Sequence, residues 1–186
     1  MSGAAVVGPR EASGVAVRVV AEEDTDLVAA CGALVADVYG GEELLEDEDG
    51  YLPVLRDAGR RVREAVLLAA LDPTGPRSAL PAGTLLGSAT YAGAGNRWAE
   101  LARPGEAEMR MLAVSSAARG RGVGRALTSA CLDLARRDGC HRFVLSSGPR
   151  MTAAHRMYEG MGFVRSPERD WSPVPSVDLV TYALEL

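Results

Sequence analysis

The stretch that most limits how this chain can fold runs from residue 107 to residue 138. A strand-like segment, 107–114, leads into Arg119-Gly120-Arg121-Gly122-Val123-Gly124-Arg125. Val123, Ala126, Leu127, Ala130, Cys131 and Leu134 then recur at i, i+3, i+4 spacing, which predicts a helix over about 122–138 with one apolar stripe and Gly139 as its stop. Strand, glycine turn and helix in that order place a loop of N–H groups at the positive end of a helix packed on a sheet. The chemistry this suits is a phosphate cradle. It is not a dinucleotide fingerprint, because Leu127 stands where G-x-G-x-x-G needs its third glycine. It also lacks the Gly-Lys-Ser/Thr of a nucleoside-triphosphate loop, so Mg²⁺-dependent phosphoryl transfer has no support.

The remaining pattern predicts one mixed α/β domain over 15–186, behind a Gly/Ala-rich flexible tail at 1–14. Strands are expected at 15–20, 64–71, 84–91, 107–114, 142–146, from 162, and over 177–186. Helices are expected from about 27 to 41, over 51–61, 122–138 and 152–160. The order is β-α-α-β-β-β-α-β-α-β-β: a single mixed, mostly antiparallel central sheet flanked by helices. The segment Glu42-Glu43-Leu44-Leu45-Glu46-Asp47-Glu48-Asp49 holds six acids in eight residues. It reads either as a solvated loop or as a negative rim that attracts a cationic substrate.

Composition narrows the classes. The net charge of −5 argues against a bulk nucleic-acid binder, and no apolar run approaches a membrane span. The tail has no continuous apolar core of a signal peptide, so the expected location is the cytoplasm. Cys31, Cys131 and Cys140 have no metal-ligand spacing and read as reduced thiols. All twenty basic residues are arginine, so no lysine amine is available for self-modification.

The stretch Leu112-Ala113-Val114 followed by Arg119-Gly120-Arg121-Gly122-Val123-Gly124 resembles the acetyl-CoA motif of the GCN5-related N-acetyltransferases, Gln/Arg-x-x-Gly-x-Gly/Ala. Ala154-His155-Arg156-Met157-Tyr158-Glu159-Gly160-Met161-Gly162-Phe163 is similar to a second family signature, A-x-x-x-Y-E-x-x-G-F. The clear resemblance covers about 107–164. It implies the acyl-CoA N-acyltransferase fold and an acetyl-CoA-dependent enzyme acting on a primary amine by direct attack through a tetrahedral intermediate. The backbone of Leu112, Ala113 and Val114 would pair with the pantetheine arm. Backbone N–H groups from Arg119 to Gly124 would hold the pyrophosphate, with charge from Arg119, Arg121 and Arg125. Ala154 and Tyr158 complete the implied cofactor site, and the fifth strand would splay from the fourth to admit the acyl chain. Met151 departs from the pattern, standing where many members have Asn seven residues before the tyrosine.

Tyr158 is the implied acid: a phenol of pKa about 10 can protonate a thiolate whose conjugate acid has pKa about 8–9. Glu108 is the implied base. Strand alternation puts it on the face of Arg110 and Leu112, and a neighbouring arginine would lower its pKa, so a purely structural Glu108–Arg110 pair is the alternative. His155 is a second imaginable base, expected at the surface. Trp171 either lines the acceptor pocket or covers the core, and loops around Tyr39 and Tyr51 complete that pocket. The acidic segment points to a small cationic acceptor. A protein N-terminal amine and a non-catalytic acyl-CoA sensor are the alternatives, and a homodimer is compatible with the resemblance.

Overall fold

The computed structural model describes residues 14–41, 51–73, 83–174 and 177–186. Strand β1 (Ala16–Val19) is followed by helices α1 (Thr25–Gly41), α2 (Leu52–Arg56) and α3 (Ala58–Glu64). Strands β2 (Val66–Leu71), β3 (Leu85–Gly93) and β4 (Glu106–Val114) come next, then α4 (Val123–Arg137), β5 (Arg142–Ser147) and α5 (Thr152–Glu159). Strands β6 (Val164–Arg165), β7 (Trp171–Val174) and β8 (Val177–Glu185) close the described chain. The sheet order is β1-β2-β3-β4-β5-β8-β6, with β7 paired to β8. Every pairing is antiparallel except β4 with β5.

Three sequence expectations change. The helix expected over 51–61 is two helices, because Asp57 leaves helical geometry (φ −77°, ψ 68°) and its side chain accepts the Arg60 N–H at the start of α3. Glu64 belongs to α3 and not to the second strand, which begins at Val66. Trp171 lies in an additional strand, β7, rather than in a loop. Its four-residue run Trp171-Ser172-Pro173-Val174 contains a proline and, among the described residues, pairs with β8 alone, which hides it from a pattern search.

Both faces of the sheet are covered. The side under α4 packs Leu68, Ala70, Met109, Phe143 and Leu145 against Val123, Leu127 and Cys131. On the opposite side, Leu67 and Ala69 pack with Val28, Cys31 and Ala58, while Met111 and Ala113 pack with Val35 and Leu55. This two-sided burial explains why 66–71 reads as an unbroken apolar run instead of an alternating one. α4 sits close on β3: a Cβ at Gly87 would lie 2.8 Å from Val123 Cγ1 and 2.9 Å from the Ala113 carbonyl oxygen. Only a residue without a side chain lets the helix start there.

Two irregularities in β4 position the site. Ser88 pairs with Ala113 and Thr90 with Arg110, so Met111 and Leu112 together oppose Ala89 in a β-bulge. Met111 takes φ +54°, a conformation that costs a non-glycine residue about 1–2 kcal/mol. The second irregularity is an early end to pairing. β4 and β5 are in register from Glu106↔Arg142 to Met109↔Leu145 and no further, while β5 stays with β8 as far as Ser147↔Val180. From Arg110 onward β4 parts from β5, and a wedge-shaped gap opens in the sheet.

Candidate active site

The bulge corrects the expected side-chain alternation. Glu108, Arg110, Met111 and Ala113 face α1 and α2, whereas Leu112 and Val114 pack against the cluster under α4. Leu112 therefore does not share a face with Glu108. The Ser115 N–H donates to the Leu86 carbonyl in β3 at 2.9 Å. Alternation then turns the backbone groups of Ala113 toward β3 and those of Leu112 and Val114 into the gap. Of the three residues expected to pair with pantetheine, two offer their N–H and C=O groups there. The Leu112 carbonyl also lies 3.5 Å from the Tyr39 hydroxyl of α1.

β4 leads through a 3₁₀ turn, Ser116–Ala118, into the glycine loop. Gly120 and Gly122 both adopt φ +77°, and Gly122 forms the N-cap of α4. The N–H groups of Arg119 and Arg121 are spent on the Ser116 and Ala118 carbonyls. Among the described residues, those of Gly120, Gly122, Val123, Gly124 and Arg125 have no protein acceptor. An anion would thus meet five N–H groups at the positive end of α4, from a narrower set than the sequence suggests. The arginines divide as well. Arg121 is paired with the buried Asp72, Nη2 to Oδ2 at 2.8 Å, while Arg125 lies exposed at the loop's edge, its Nη1 3.5 Å from the Gly160 carbonyl.

Tyr158 is buried on α5, and its ring packs with Phe163 and Tyr182. Burial pushes its phenol well above the ordinary value, with the neighbouring Tyr39, Cys131 and Tyr182 adding to the effect. It therefore stays protonated across the neutral range, and the same shift makes it a weaker acid than the free phenol on which the sequence argument rests. Ala154 is half-buried on the same helix, and the Ser147 hydroxyl lies 3.5 Å from the Met151 sulfur, a protein contact that occupies the position of the family's Asn. His155 is not the surface residue expected: its Nε2 lies 3.0 Å from the Gly148 carbonyl oxygen and its ring packs on Tyr182.

Glu108 is fully buried. Its Oε2 accepts the N–H groups of Leu101 (2.7 Å) and Ala102 (3.2 Å), while Oε1 has no hydrogen-bond partner among the described residues. Burial pushes the carboxyl above its ordinary value, and the Leu101 N–H and the Arg110 charge pull only part of the way back. The sequence expectation of a lowered pKa is thus reversed, because desolvation outweighs the arginine. Arg110 is mainly committed elsewhere. Its Nη1 meets Glu100 at 3.0 Å and the Trp98 carbonyl at 3.2 Å, and its Nη2 donates to the Tyr51 hydroxyl at 3.1 Å. Glu108 Oε1 stands 3.8 Å from Arg110 Nε, beyond hydrogen-bond reach. The Trp171 ring lies 5.8 Å from the guanidinium carbon, and its buried Nε1 has no partner among the described residues. Glu100 and Asp72 were not singled out from sequence; neither sits in a motif, and only tertiary contact reveals them.

Comparison with known proteins then settles the lineage. The family described as Acetyltransferase (GNAT) matches residues 42–163. The chain belongs to the GNAT family. A GNAT protein from Kribbella flavida has 25% sequence identity and a TM-score of 0.63, covering 93% of this chain and 98% of that one. The yncA protein of Salmonella typhimurium, solved with its cofactor acetyl-CoA, has 21% identity and a TM-score of 0.64, covering 93% and 94%. N-alpha-acetyltransferase 30 of Saccharomyces cerevisiae is 40% identical over 55 residues, which span 30% of this chain and 31% of the yeast protein. This GNAT enzyme is an acetyl-CoA-dependent N-acetyltransferase. Among its described residues no helix is long and apolar enough to cross a membrane.

Proposed function

We propose that residues 15–186 form one acyltransferase domain that moves an acetyl group directly from acetyl-CoA to a primary amine, with Glu108 as base and Tyr158 as acid. The gap beside Leu112 and Val114 suits the pantetheine arm, and the five acceptor-free N–H groups at the start of α4 suit the pyrophosphate. Acetyl-CoA supplies the acetyl group as an activated thioester. The observation that carries the chemistry is the unpartnered Oε1 of a carboxyl whose affinity for a proton is raised by burial. Such a group can draw a proton from an ammonium near neutral pH, directly or through one water. In this reading the Tyr158 hydroxyl, protonated across the neutral range, donates a hydrogen bond to the departing thiolate and passes its proton on as charge develops on sulfur.

The acceptor is a small cationic amine if the acidic segment rims the site. That segment, Glu42 to Asp49, lies outside the described residues. The local match to the yeast Nα-acetyltransferase favours a second acceptor, the α-amine of a polypeptide. Thiol release from acetyl-CoA over a panel of diamines, aminoglycosides and short peptides separates the two. In the same assay Tyr158→Phe should lower kcat by about 10²-fold or more while CoA still binds. CoA binding without turnover of any acceptor would leave a sensor rather than a catalyst.

A further inference from the structure

Arg121 lies between Gly120 and Gly122, two residues with left-handed backbone, where neither helix nor strand holds it. Its side chain is tied to the protein by an ion pair. Nη2 stands 2.8 Å from Oδ2 of Asp72, whose side chain is fully buried, while that of Arg121 is one-third exposed. Asp72 is itself fixed at the end of β2: its N–H donates to the Thr84 carbonyl at 2.9 Å, and its carbonyl accepts the Gly83 N–H at 3.1 Å. The pair therefore joins the glycine loop to the base of the β2–β3 connection, two segments far apart in sequence.

We propose that Asp72 is a positioning residue for acetyl-CoA: through Arg121 it clamps the glycine loop, and Arg121 shapes that loop instead of binding the pyrophosphate. The proposal rests on the loop being the pyrophosphate site. The physical reason Arg121 stays with Asp72 is the difference in surroundings. At a fully buried carboxylate the guanidinium's attraction is little screened, whereas a phosphate at the loop surface offers a partner screened by water. The pyrophosphate charge then falls to the N–H groups of Gly120 and of Gly122 through Arg125.

The test compares wild type, Asp72→Asn, Arg121→Gln and the double variant, each with acetyl-CoA and with acetyl-pantetheine, which has the thioester arm but no pyrophosphate. Either single change should lower kcat/KM for acetyl-CoA by about tenfold, and the double variant should lose no more than a single. With acetyl-pantetheine all four should agree within about twofold. Arg121→Lys, which keeps the ion pair, should recover most of the loss, and Asp72→Ser replaces Asp72→Asn as the carboxylate variant if the latter does not fold. A direct phosphate contact gives a different pattern, and that pattern overturns the proposal: Arg121→Gln loses acetyl-CoA, while Asp72→Asn keeps or improves it by freeing the guanidinium. Equal losses with both acyl donors would also overturn it, making the pair a general stabiliser. If wild type itself shows no preference for acetyl-CoA over acetyl-pantetheine, the pyrophosphate site fails and the clamp with it.

Discussion

Replacing Glu108 by Gln tests the base and reads out the acceptor at once. A glutamine oxygen can still accept the Leu101 and Ala102 N–H groups, so the backbone around residues 101–102 keeps its anchor. What disappears is the ionisable Oε1. Without it, turnover depends on the fraction of amine already free in solution. For an alkyl amine of lysine-like pKa, about 10.4, that fraction at pH 7.5 is roughly one in a thousand. The variant should therefore lose about 10³-fold in kcat/KM, inside the usual range for general base catalysis. The deficit should shrink by about tenfold per pH unit as the amine deprotonates by itself. For an α-amine of pKa about 8 the same logic gives a deficit of only a few-fold at pH 7.5. The acid limb of the wild-type profile should lie above the ordinary carboxyl range, because burial raises the Glu108 pKa, and it should vanish in the variant. Thiol release measured across pH with one alkyl amine and one peptide decides it. A wild-type-to-variant ratio near one for both acceptors, flat with pH, would refute Glu108 as base and leave it a purely structural carboxylate.

Glu108 also makes a prediction about stability. Its raised pKa means that the folded protein holds the proton more tightly than the unfolded chain does. Ionisation therefore removes stability as pH rises from the ordinary carboxyl range through the raised value. Glu108→Gln should then melt no lower than wild type at neutral pH, and a clear drop in Tm would contradict that sign. Arg169→Met tests a different carboxylate. Glu106 and Arg169 are both almost fully buried, with Oε2 and Nη2 2.7 Å apart, so removing the cation should cost about 3–5 kcal/mol. For a chain of this size that is a fall in Tm of roughly 6–20 °C, partly restored by adding Glu106→Gln; a fall under about 2 °C would show that the pair is dispensable.

The elements legible in the sequence were those whose signal is local. The stripe of α4, the apolar run of β2 and the tyrosine-bearing helix α5 all declare themselves through spacing or composition. The β4 bulge does not. Met111 and Leu112 are ordinary strand residues, and nothing short of the register Ser88↔Ala113 and Thr90↔Arg110 reveals that the strand carries one residue too many. That single insertion moved Leu112 to the other face and undid the alternation argument. The direction of the Glu108 shift was missed for a related reason. A nearby arginine is visible in sequence, but the complete burial that outweighs it is not. Arg121 looked like any loop cation until its partner, 49 positions earlier, came within reach.

The parting of β4 from β5 has a mechanical consequence. The parallel seam that joins β1–β4 to β5–β8 is only four residue pairs long, from Glu106↔Arg142 to Met109↔Leu145. A ligand arm that pairs with Leu112 and Val114 extends that seam and serves as a removable strut. Its contribution then follows mass action: at a hundred times Kd, a ligand bound only by the folded state adds about 2.7 kcal/mol. The protein's resistance to opening along this line would rise and fall with the supply of acetyl-CoA, and amide exchange should slow first at Leu112 and Val114 as the ligand is added.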